Sequence, residues 1–262
     1  MRVVILTSGL YGTASHHLKY LLANSKAEIA MVVFNEGHVR NKQAKIIKKI
    51  KKIFQIGPLG ALNGIRMRKW FNEDTNKYLE TENIKEICIK HNIPFRTTNT
   101  INCITTQDLF VEARADLGIS LGNGYIGSKI FSIPTHGMIN IHHEILPDYQ
   151  NAQSILWQLY NNSDHTGYTI HKIDKQIDTG EILLQETTDI VLRDTLADTV
   201  TFTFVQLLNL SAIGLCKVID DFETYLKHAK IQGHGTSYTT PTIWQFLKIQ
   251  AVFKDLKKQK NQ

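Results

Sequence analysis

Cysteine is scarce in this chain of 262 residues. The three present, Cys88, Cys103 and Cys216, stand far apart and in no Cys-X-X-Cys arrangement. That pattern excludes a disulfide framework and a structural zinc site, and suits a reducing compartment. No unbroken apolar run nears the ~20 residues of a membrane span. The apolar stretch after Met1 and Arg2 is too short for a signal peptide. Internal repeats and low-complexity linkers are missing too. The expectation is a cytoplasmic protein without a membrane segment. At 42% hydrophobic and 21% charged residues it has the balance of an ordinary globular chain. Its length suits one large domain, or one domain with an appendage.

Acidic residues are absent between Glu36 and Glu73, where ten basic ones fall: Arg40, Lys42, Lys45, Lys48, Lys49, Lys51, Lys52, Arg66, Arg68 and Lys69. Those ten exceed the net charge of the whole chain, +6, so the remainder is net acidic. Basicity is therefore local, which argues against a protein built throughout to hold nucleic acid.

Val3–Thr7 and Ile29–Phe34 read as strands around a helix over 15–23. This βαβ opening predicts an open, mostly parallel α/β sheet with crossover helices. Ile46, Ile47, Ile50, Ile53 and Phe54 make an apolar stripe on a lysine-covered helix within an insertion, residues 37–75. That insertion reads as a solvated helix, as a wall drawing in an anionic substrate, or as a nucleic-acid or membrane contact. Further helices are expected over 83–90, 107–114 and 154–160. Short strands are expected over 93–95, 117–121 and 138–142. Residues 168–173 and 182–190 read as antiparallel neighbours. A long helix over 196–224 and a loop over 233–241 follow, then another helix and a polar tail from Lys254. The division expected is a catalytic domain over 1–192 and a small C-terminal appendage over 193–262.

The densest polar cluster, Asn140-Ile141-His142-His143-Glu144, ends a predicted strand. Alternation puts Asn140 and His142 on one side of it. Carboxyl ends of strands border the ligand crevice in such sheets. An amide, an imidazole and a carboxylate there suit acyl transfer, with His171 through Gly180 supplying a strand and an acidic turn. From the residues alone, a His beside an Asn on a strand is more often structural. Adjacent His142 and His143 face opposite ways, and His136 and His165 lack ligand spacing, so no metal is expected.

The ordered motifs Asn140-Ile141-His142 with Leu146-Pro147, Thr166 through His171, and Asp178-Thr179-Gly180-Glu181-Ile182 resemble the folate-dependent formyltransferases. That family formylates glycinamide ribonucleotide, methionyl-tRNA and nucleotide-linked amino sugars. The resemblance covers roughly residues 1–190 and implies a Rossmann-like formyltransferase fold. It implies 10-formyltetrahydrofolate as donor. Asn140 would hold the formyl oxygen, His142 would take the amine's proton, and Asp178 would support His142. Tyr125, Ile126 and Gly127 would line the pteridine pocket, with Asp174 and Ile177 in the turn that closes it. Where the family shows Pro-Ser after the catalytic His, this chain has His143-Glu144, a change on the acceptor side. Asn151 replaces a glycine, and Asn tolerates the left-handed backbone best among side-chain-bearing residues. The turn Ser8 to Thr13 matches only loosely the phosphate loop of the ribonucleotide branch.

Among the branches, about seventy residues after Ile190, mostly helical, hold too few strands for the barrel that the transfer-RNA enzyme carries. The fold starting at Met1 leaves no room for the regulatory domain of the formyl-folate hydrolase. The purine-pathway enzyme has no large basic insertion. Gly235–Pro241 resembles an appendage of the amino-sugar branch. The expected acceptor is therefore a nucleotide-linked amino deoxysugar, a small-molecule partner. A different amine, a hydrolase, and a non-catalytic folate- or RNA-binding protein are the alternatives. The long apolar helix also leaves room for a homodimer.

Overall fold

The computed structural model describes residues 1–38, 42–151 and 153–260. Arg40 of the basic block, the side chains of Lys42 and Lys45, and the last two residues of the polar tail lie outside them. In chain order the elements are β1 (Arg2–Thr7), α1 (Thr13–Asn24), β2 (Glu28–Asn35), α2 (Lys42–Ile56), α3 (Pro58–Arg68), α4 (Ile84–Lys90), β3 (Phe95–Thr98), α5 (Ile104–Ala113), β4 (Leu117–Leu121) and α6 (Ser128–Phe131). They continue with β5 (Met138–His142), α7 (Leu156–Tyr160), β6 (His165–Lys172), β7 (Ile182–Asp189), α8 (Leu196–Asp220), α9 (Phe222–Lys227) and α10 (Ile243–Lys260).

The seven strands form one sheet in the order β3-β2-β1-β4-β5-β6-β7. β1 to β5 run parallel, while β6 pairs antiparallel with β5 and β7 with β6. The central strands are buried on both faces, which is why β1 reads Val-Val-Ile-Leu and β4 Leu-Gly-Ile-Ser-Leu without polar alternation. One face packs on α1, α4, α8 and α9 through Leu18, Ile87, Leu215 and Phe222. The opposite face packs on α5 and α6 through Phe110 and Ile130. A third cluster joins Met67 and Trp70 to Leu156, Phe204, Phe246 and Phe253. Residues after 192 thus share the cores of the catalytic portion, because α8 has one apolar side for the sheet and another in the third cluster.

Several boundaries differ from the sequence reading. The strand expected at 93–95 runs from Phe95 to Thr98. Pro94 accepts from the Val32 amide at 2.9 Å but has no N–H to give the ladder. The long C-terminal helix breaks at Asp221, whose φ of −133° and ψ of 44° leave the helical region. The polar tail is helical to Lys260. Phe246, Ile249, Phe253 and Leu256 recur at helical spacing and hold it on the third cluster. α8 is the one helix, among the described residues, long and apolar enough to cross a bilayer. The interior accounts for it, since 67% of its apolar window is buried.

Candidate active site

β4 and β5 end side by side, and the loops leaving β4 and β6 wall a cavity of about 300 Å³. Gly122 through Ile126 form one wall, and Ile173, Asp174, Gln176, Ile177 and Asp178 form the other. Asn140, His142 and His171 close its floor. Antiparallel register sets Asn140 directly opposite His171. The two rows of side chains therefore converge although 31 residues separate them.

Hydrogen bonds assign the proton positions. His171 Nδ1 donates to the carbonyl of Lys172 at 2.9 Å, leaving Nε2 to accept from Asn140 Nδ2 at 3.3 Å. Burial holds the pKa of His171 below its ordinary value, with Asp178 opposing, so the ring is neutral and keeps that lone pair. One amide hydrogen of Asn140 is engaged in this way, and the other remains for a ligand. His142 Nε2 donates to the carbonyl of Tyr149 at 2.9 Å, so its basic nitrogen is Nδ1. That atom lies 3.8 Å from Asp178 Oδ2, both side chains being mostly buried.

Asp178 reaches this position from a left-handed backbone, φ 57°, which a short polar residue tolerates. Its Oδ2 accepts from the Asn151 amide at 3.1 Å, and Asn151 itself has φ 51°. Two residues on, Gly180 lies so close under Lys172 that any Cβ would overlap the Lys172 carbonyl. Asp174 ties the turn from inside, accepting from the Gln176 amide at 2.9 Å and the Thr179 hydroxyl at 2.7 Å.

Of the residues expected from sequence, the structure brings together Asn140, His142, Asp178, Tyr125, Ile126, Asp174 and Ile177. Gly127 does not line the cavity. Its amide donates to Asn102 Oδ1 at 2.6 Å and its Cα faces that side chain, so it braces the wall from behind. His143 turns the other way from His142. It meets Phe204 edge to face, and its Nε2 meets the Ser211 hydroxyl at 3.2 Å, which His17 also contacts at 2.9 Å. Burial drives its pKa well down, so it is a neutral histidine, and it is half-buried at the edge of a second cavity. Among the described residues no group of three His, Cys, Asp or Glu side chains is arranged to hold a metal.

Sequence reading missed a second cavity on the far side of His142. It holds about 320 Å³ and is lined by Arg68, Phe71, Asn72, Gln153, Glu144 and Phe204 among others. Phe71, Asn72 and Phe204 also line an adjoining space of about 740 Å³ over the Thr7–Ala14 turn. Glu144 is almost fully buried and accepts from Gln158 Nε2, yet its Oε1 has no partner. Burial raises its pKa well above the carboxylate range, which favours its neutral form. Gln153 Oε1 is likewise unpartnered. His143-Glu144 departing from the family pattern was the signal, but only the fold shows what those residues face.

The formyl transferase family pattern matches residues 1–203. This chain belongs to that family. It is 30% identical over 179 residues to methionyl-tRNA formyltransferase of Thermotoga maritima, covering 68% of this chain and 56% of that protein. The Clostridium acetobutylicum enzyme of the same name is 34% identical over 148 residues, covering 56% of this chain and 46% of that protein. The chain thus spans about half the length of these relatives. Phosphoribosylglycinamide formyltransferase of Bacillus halodurans superimposes with a TM-score of 0.57 at 19% identity, over 86% of this chain and 98% of that one. The Helicobacter canadensis N-formyltransferase, solved with folinic acid and dTDP-3-aminofucose, superimposes with a TM-score of 0.52 at 16% identity. That match covers 98% of this chain and 81% of the other. At such identities the likeness shows the shared α/β fold.

Proposed function

We propose that this chain transfers a formyl group from 10-formyltetrahydrofolate to the amine of a nucleotide-linked amino deoxysugar. One observation carries the reading: two cavities meet at His142, one per substrate of a transfer. The first suits a flat heteroaromatic donor, with Ile126, Ile173 and Ile177 as apolar walls and Asn140, His142 and Asp178 at one end. When bound there, the folate supplies an activated formyl carbon. The free amide hydrogen of Asn140 donates to the formyl oxygen as the amine attacks and negative charge grows on it. His142 Nδ1 takes the proton the amine loses, and Asp178 steadies the resulting imidazolium. His142 then returns the proton to the departing folate nitrogen. His171 touches no substrate in this scheme, and positions the Asn140 amide.

The second cavity receives the acceptor. Gln153 and Glu144 line it, and Arg68 supplies a cation for a diphosphate. Three buried free cysteines support a reducing, cytoplasmic setting. The match to the dTDP-3-aminofucose enzyme over nearly the whole chain favours a sugar acceptor. Methionyl-tRNA is the second reading, favoured by the names of the sequence relatives.

The test is release of tetrahydrofolate from 10-formyltetrahydrofolate. It is followed alone, with a panel of nucleotide-linked 3-amino and 4-amino deoxysugars, and with methionyl-tRNA. Release that depends on one sugar supports the proposal. Dependence on methionyl-tRNA replaces its acceptor, and release without any amine makes the chain a hydrolase.

A further inference from the structure

None of Lys48, Lys49, Lys51 and Lys52 lines the cavities around His142. Nor does the apolar stripe of α2 face the protein. Ile46, Ile47, Ile50 and Ile53 are between 42% and 55% exposed, and Phe54 is 85% exposed. At about 100° per residue they share an arc of about 120°, with Lys49 and Lys51 at its edges and Lys48 and Lys52 behind. Ile56, which is buried, falls outside that arc.

α3 continues the pattern. Gly60 rests on Pro241 and Thr242, and a Cβ on Gly64 would stand 2.7 Å from the Thr240 methyl, so its small-residue side is pinned to the body. Leu59, Leu62 and Ile65, three residues apart, are all exposed. Trp244, just beyond the backbone that Gly60 touches, is exposed as well.

Charge decides what covers this surface. A second copy docking the same patch would set two lysine rows together, with no acidic residue over 37–72 to offset them. An RNA would use the lysines and leave the apolar arc in water. A bilayer with anionic lipid satisfies both features: the arc enters the acyl boundary, while the lysine stems reach back to the headgroups. We propose that α2 and α3 form an interfacial anchor that docks the enzyme on an anionic phospholipid surface without spanning it. Arg68, the last residue of α3, and Asn72, four residues beyond it, line the second cavity. Docking therefore brings its mouth to the membrane.

The experiment is co-sedimentation of the full chain with large unilamellar vesicles. Vesicles of phosphatidylcholine alone are compared with a roughly 1:2 mixture of phosphatidylglycerol and phosphatidylcholine. Partition into the mixed vesicles is expected, weakened by added salt, and roughly tenfold lower into pure phosphatidylcholine. The double substitution I50D/F54D should lower it by roughly tenfold more, with circular dichroism and tetrahydrofolate release unchanged. K48E/K51E should also lower it. Failure of the wild type to partition overturns the proposal, as does I50D/F54D binding like wild type. A concentration-dependent dimer dispersed by I50D/F54D, without vesicle binding, assigns the face to a second copy. RNA binding that needs the lysines but ignores I50D/F54D, again without vesicles, assigns it to nucleic acid.

Discussion

Asn140 has two amide hydrogens, and His171 takes one of them at 3.3 Å. Replacing Asn140 with Ala removes the donor facing the cavity together with the bond to His171, and little packing, since it is only half-buried. We expect kcat/KM to fall by a factor of about 10² to 10³. Folate affinity, read by fluorescence titration, should stay within a few-fold. Gln153 makes the complementary case on the acceptor side. Gln153→Ala should raise the acceptor's KM by about tenfold, the worth of one hydrogen bond, and leave the folate KM unchanged. Steady-state kinetics with both substrates varied separates the two. The candidate site residues at this scale are legible in the sequence because short motifs hold them: Asn140 and His142 lie two apart on one strand, and Asp178 precedes its turn glycine closely. Glu144 and Gln153 are not legible in the same way, because an unpaired buried oxygen is a property of its surroundings.

α8 is the element that joins the two halves of the molecule. Its Gly214 lies against the ring of Tyr168, so closely that a Cβ would overlap the hydroxyl. That hydroxyl donates to Glu186 Oε2 at 2.7 Å, and Lys217 of α8 meets the other carboxylate oxygen at 3.0 Å. Gly214→Ala should therefore destabilise by about 1–3 kcal/mol through overpacking. Urea unfolding measures it, with an unchanged m-value expected. Helical periodicity foretold α8, but not that one of its faces would meet β6. Periodicity also foretold the stripe of α2. It could not say that the stripe points to solvent, because a helix's own pattern marks an apolar face without naming what covers it.

Across the whole molecule, burial sets the dependence of stability on pH. His17 is fully buried and its pKa is pushed down to about 3, while those of His16, His143 and His171 are also lowered by burial. A histidine lowered in the fold binds its proton only in the unfolded chain, so stability is lost as pH falls below about 6.5. For His17 the loss continues down to about 3. Glu144 acts in the opposite sense, since its raised pKa costs stability as pH rises. Four histidines against one carboxyl leave acid as the destabilising direction between about pH 4.5 and 6.5. His17, lowered to about 3, contributes about 1.4 kcal/mol per pH unit below its unfolded value, and the other three act in the same direction. His17→Gln should reduce the slope of unfolding free energy against pH by about one proton in that window. Chemical denaturation at several pH values provides the measurement.

Local patterning alone specifies much of this protein. The βαβ opening, the fully apolar central strands, the amphipathic helices and the motif around Asn140 and His142 all follow from residues near one another in the chain. Only tertiary structure sets Asn140 opposite His171, Asp178 beside His142, and a second cavity behind that imidazole. Those relations depend on the crossover between β5 and β6 and on the docking of α8, contacts between residues distant in sequence. Neither hydrophobic period nor motif spacing encodes them, since burial and proton position are set by neighbours that the chain supplies only once it has folded.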